Sequence, residues 1–74
     1  LNTYEETIGI LELLAAILNL DQKNIVYLLN RMLDEEKNKV PQNVLGSDES
    51  LTIQNLFSKF GKITWQSFVT TRLP

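Results

Sequence analysis

Three stretches of the chain carry residues whose types and spacing could do chemistry. Asp34-Glu35-Glu36 offers three consecutive carboxylates, for a cation or for general acid–base work. Consecutive helical residues point about 100° apart, so these carboxylates do not converge on one ion, and the spacing reads as a solvated helix end. Asp48 and Glu49 read the same way, in a loop. The third stretch, Gly61-Lys62-Ile63-Thr64-Trp65-Gln66-Ser67-Phe68, has the outline of the back half of a calcium loop. With Gly61 at loop position 6, positions 1, 3, 5 and 12 fall on Leu56, Ser58, Phe60 and Ser67. Calcium needs hard oxygen donors there, including a bidentate acid at the last, and these residues cannot supply them.

What is missing narrows the chemistry further. The 74 residues include no His and no Cys. Ser-His-Asp triads, cysteine nucleophiles, HExxH sites and zinc fingers are therefore impossible within this chain, which carries no catalytic residue and no metal ligand set of its own. No cofactor is expected.

The elements that must position any remaining function are helices, and the fold class read from the pattern is all-α. Thr3-Tyr4-Glu5-Glu6 has the form of a capping box, with Thr3 and Glu6 as its reciprocal partners. Ile8, Leu11, Ala15 and Leu18 then recur at helical spacing, and Ile10, Leu13, Leu14 and Ile17 fill a second stripe. A helix apolar over most of its circumference is buried on more than one side. Asp21 caps a second helix, with Leu20 and Ile25 placed as a hydrophobic staple, followed by Leu28, Leu29, Met32 and Leu33. Pro41 disfavours helix at Val40. Residues 40–51 read as a connecting loop, after which Thr52 and Thr64 cap two short helices separated by Gly61. The expected helices span about 4–19, 22–38, 53–60 and 65–72, in two hairpin-like pairs.

The expected core or interaction face comprises Ile8, Leu11, Leu14, Leu18, Ile25, Leu29 and Met32 from the first pair. Leu56, Phe57, Phe60, Ile63, Trp65 and Phe68 complete it from the second. The aromatic residues read as the core that holds two short helices down, with a binding platform as the alternative. Tyr4 and Tyr27 are placed on helix flanks with their hydroxyls in water, and Arg31 on a polar face with no partner evident.

At about 100–200 residues per domain, the length allows one small helical domain or a fragment of a larger one. Such a chain buries only about 60% of its unfolded surface, so its core is marginal. Seven basic residues are spread among nine acids, for a net charge of −2. With no basic face apparent, nucleic acid is not expected as a partner. The apolar run from Ile8 to Leu20 contains Glu12 and Asn19 and falls short of a membrane span. It also follows Glu5 and Glu6, where a signal peptide would carry positive charge. The start at Leu1 fits a processed product or an excised piece.

The C-terminal third, Leu51-Thr52-Ile53-Gln54-Asn55-Leu56-Phe57 followed by Ile63-Thr64-Trp65-Gln66-Ser67-Phe68, resembles a segment of the neprilysin-like zinc metallopeptidases. In the non-catalytic N-terminal helical part of those ectodomains, a Met-Thr-Leu-x-x-Leu helix start precedes an Ile-x-Trp-x-x-Phe helix start. Leu51 stands here for the usual Met, Glu49-Ser50 for a tyrosine-containing dipeptide, and Gln54 or Asn55 for a first-turn acid. The resemblance implies a catalytically silent segment that helps enclose the peptide-binding cavity of a parent zinc endopeptidase, in an extracellular or secreted setting. Zinc would belong to the parent, and the partner would be the remainder of its ectodomain. The alternative is an independent helical module that binds a partner helix or a second copy of itself. A small secreted effector is a further reading.

Overall fold

The computed structural model describes residues 2–38 and 44–73. The expected break around Val40 and Pro41 lies outside the described residues. Four α-helices and no strand make up the described chain, so the all-α class is as expected. They are α1 (Thr3–Leu18), α2 (Gln22–Asn38), α3 (Asp48–Phe60) and α4 (Trp65–Arg72).

Local chemistry explains each start and stop. The cap of α1 lies one residue earlier than the capping box predicts: Asn2, not Thr3, accepts the Glu5 amide, at 2.8 Å. Thr3 is already helical, and its carbonyl accepts the Thr7 hydroxyl. α1 ends at Asn19, in the left-handed region at φ 56°, a conformation that Asn tolerates better than most residues. Asp21 Oδ1 accepts the Asn24 amide at 2.8 Å as α2 begins.

The largest departure from expectation is at α3. Residues 48–51 are helical, not loop, and the cap is Ser47, whose hydroxyl accepts the Ser50 amide. Asp48 and Glu49 occupy the first turn, where negative charge complements the free amides of a helix start. Thr52 lies inside the helix, its hydroxyl donating to the Asp48 carbonyl. At the far end, Gly61 takes φ +67° and its amide donates to the Phe57 carbonyl. Thr64 then accepts the Ser67 amide to open α4.

α2 packs against each of the other three helices. Leu14, Ile25, Leu29, Met32, Ile53 and Phe68 are fully enclosed, with Leu11, Phe57, Trp65 and Val69 close behind. Ile8, Leu18, Leu56, Phe60 and Ile63 are only half-buried. One flank of α1 stays exposed through Leu13 and Ile17, which reaches 47%, so the second apolar stripe is not all core.

Gly61 allows a simple test. A Cβ there meets nothing within 4 Å, so Gly61→Ala pays only for the left-handed backbone. A loss of about 1 kcal/mol is expected, a drop in Tm of about 4–8 °C for a domain this size, measured by thermal melting.

Candidate functional site

Among the described residues no group of three or more acidic side chains is placed to hold a metal ion. Asp34, Glu35 and Glu36 go separate ways: Asp34 faces solvent, Glu35 is buried and Glu36 reaches across to α4. Glu35 corrects the reading of a fully solvated helix end. It is only 7% exposed, and both of its carboxylate oxygens accept the Val44 amide, at 3.0 and 3.2 Å.

The aromatic residues form core. Phe57 meets Phe60 edge-on at 5.5 Å and Phe68 at 5.2 Å between ring centroids. Phe57, Trp65 and Phe68 are buried, so they anchor α3 and α4 and leave no aromatic platform among them. Tyr4 and Tyr27 are exposed. Arg31 has the partners that its sequence position could not name. It donates to the Tyr27 hydroxyl and lies 4.0 Å from Glu35. The Tyr27 bond, with Glu35 and Asp34 nearby, raises the pKa of a guanidinium already fully charged.

With its apolar side turned inward through Trp65, Phe68 and Val69, α4 presents a polar side of Gln66, Ser67, Thr70 and Thr71. No residue of α4 is acidic. A four-residue turn, Gly61 to Thr64, joins it to α3; Lys59 lies just before that turn and Lys62 within it, both exposed. An open groove of about 510 Å³ runs beside the turn, with Gln54, Ser58, Lys62 and Gln66 on its polar rim. Arg72, at the other end of α4, is anchored to α1 through Glu6 at 3.0 Å and Thr7 at 3.4 Å.

This placement exposes a charge separation that the near-zero total conceals. Residues 1–49 hold all nine acids and four basic residues, whereas residues 50–74 hold Lys59, Lys62 and Arg72 and no acid. Counting the last third of the chain separately is the signal that would have found this end of the molecule. Helix α4 is the element it marks: short, with Arg72 its one charged residue, and preceded by two exposed lysines.

Over all 74 residues the chain is 39% identical to a probable plasmid-partitioning protein, ParB, of Thermus thermophilus. It spans about a quarter of that relative's length, 25%. No protein-family model matches the chain. No solved structure matches it either. The relative overturns the neprilysin-like resemblance: identity along the whole chain outweighs about a dozen positions in its C-terminal third. The silent peptidase segment, the parent's zinc, the ectodomain partner and the extracellular setting rested on that resemblance and fall with it. The expectation that nucleic acid is not a partner conflicts with a relative named for plasmid partitioning. No helix among the described residues is long and apolar enough to cross a membrane.

Proposed function

We propose that the chain is a helical segment of a plasmid-partitioning protein and that it contacts DNA through α3, the Gly61–Thr64 turn and α4. The observation that carries this is the 39% identity to the Thermus partitioning protein over every residue of the chain. The arrangement of the second half supports it. Two helices joined by a turn of three or four residues, often with a glycine, are the supersecondary unit that places its second helix in the major groove. With its side chains an α-helix such as α4 is about 10–12 Å across, which the roughly 12 Å wide major groove admits.

The side chains suit the task. Gln66 and Ser67 offer both donors and acceptors to base edges, and Thr70 and Thr71, whose hydroxyls donate to the Ser67 carbonyl, add acceptors on the same side of α4. Lys59 and Lys62, both exposed beside the turn into α4, are available to phosphates. The acid-rich first two-thirds of the chain is repelled by the same phosphates, so the field of the molecule turns α4 toward the duplex. The first half then acts as scaffold: α2 supports α4 through the core, and Arg72 ties it to α1.

The test is fluorescence anisotropy with a labelled 20-base-pair duplex over a salt series. Binding should weaken steeply as salt rises. Each lysine contact contributes about 0.9 to the slope of log K against log salt, so replacing Lys59 and Lys62 together by Gln should flatten it by about 2. The reading fails if wild type binds no duplex at low salt, or if the double variant keeps the full slope.

A further inference from the structure

We infer that Glu36 is a positioning residue for base recognition, holding the Gln66 amide in the orientation that matches an adenine edge. This rests on the DNA reading of α4 given above. Gln66 Nε2 donates to Glu36 Oε2 at 3.1 Å and to Oε1 at 3.3 Å, across thirty residues of sequence, from α4 to the end of α2. A carboxylate only accepts, so the nitrogen of the amide must face it and the amide cannot flip. The two N–H bonds of an amide diverge by about 120°, so one of them spans both carboxylate oxygens. The other N–H and Oε1 remain, a donor beside an acceptor. Adenine presents the complement in the major groove: N7 accepts and the N6 amino group donates.

Gln66 is the only long, uncharged polar side chain on α4, and unrestrained it would sample many rotamers with either end of its amide outward. Held by Glu36, it offers one hydrogen-bonding pattern. Glu36 is itself exposed and touches no base in this arrangement; it acts through Gln66. The acid would otherwise be a liability, because a negative charge beside the groove weakens attachment to every duplex alike. Positioning and repulsion are therefore separable. Positioning acts on the base read at one place, repulsion on affinity for all sequences.

The experiment selects duplexes from a pool with a randomised central stretch, using the 74-residue chain and the variants Glu36→Ala, Glu36→Gln and Gln66→Ala. Melting curves first establish that each folds; both side chains lie at the surface. Wild type should enrich adenine at one position. Glu36→Gln, whose amide oxygen still accepts from Gln66, should keep that preference and bind all duplexes more tightly. Glu36→Ala should gain the same general affinity and lose the adenine preference about tenfold, as Gln66→Ala does. If Glu36→Ala enriches adenine as strongly as wild type while Gln66→Ala does not, Glu36 has no positioning role and DNA binding by α4 stands. Selection of another base at the position sensitive to Gln66 also overturns the inference. If wild type retains no duplex at all, the DNA reading and this inference fail together.

Discussion

Replacing Phe68 by alanine should come close to unfolding the chain. Phe68 has no solvent exposure, and its ring packs on Phe57 at 5.2 Å, so it joins α4 to α3 inside the core supplied by α2. Truncating a buried phenylalanine costs about 3–5 kcal/mol, from lost transfer energy plus the cavity left behind. At about 0.05–0.15 kcal/mol per residue, a domain of this length has roughly 4–11 kcal/mol in total. The substitution therefore removes about half of that stability, a fall in Tm of about 15–30 °C by circular dichroism. Because α4 has only eight residues, it has no helical stability of its own to fall back on. Amide exchange should show α4 opening before the rest. Phe68→Leu, which keeps much of the volume, should cost far less. A Phe68→Ala chain melting within a few degrees of wild type would mean that α4 is not docked on Phe57 as described.

α4 was legible in the sequence because everything that defines it is local. Thr64 supplies the cap, Gly61 ends the preceding helix in a left-handed turn, and Trp65, Phe68 and Val69 fall on one side. The start of α3 was also local, yet it was missed. Ser47-Asp48-Glu49-Ser50 is polar and follows Gly46, which reads as loop, and Thr52 offered a more familiar cap. Two acids directly after a serine were the counter-signal, since acids in a first turn favour a helix start. The burial of Glu35 was not legible at all. It depends on the chain returning from α2 to place Val44 against it, nine residues on.

The site was hidden for a different reason. Charges averaged over 74 residues nearly cancel, and only the absence of acids from residues 50–74 points to α4. The contact between Glu36 and Gln66 joins residues thirty positions apart and follows from how α4 lies on α2, not from any spacing. The misleading resemblance has its own physical cause. Thr before a helix and a Trp/Phe pair within one are general solutions for capping and docking a short helix, so they recur in unrelated proteins. In this chain Thr52 does not cap α3, which removes one of the features on which the likeness depended.

Alanine in place of Glu35 should cost about 2 kcal/mol, although Glu35 belongs to a stretch that reads as surface. The carboxylate accepts the Val44 amide, and the Val44 carbonyl in turn accepts both the Ser47 amide at 3.0 Å and the Ser47 hydroxyl at 2.7 Å. Ser47 caps α3. Next to Val44, the Leu45 side chain is buried, and its carbonyl accepts from Gln54. Glu35 therefore fixes the turn from which α3 starts. Removing the carboxylate leaves a partly buried donor without this acceptor, a loss of about 1–3 kcal/mol. Glu35→Gln keeps one oxygen for the Val44 amide and should lose less. Arg31→Ala should lose least, because its 4.0 Å ion pair is half in solvent and solvent screens it. Urea titration of the three variants gives the order, and amide exchange locates the effect. Protection should fall at Ser50 and Leu51, in the first turn of α3, before it falls in α1. Equal losses in Arg31→Ala and Glu35→Ala would place the stabilisation in the ion pair and refute the role assigned to the Val44 hydrogen bond.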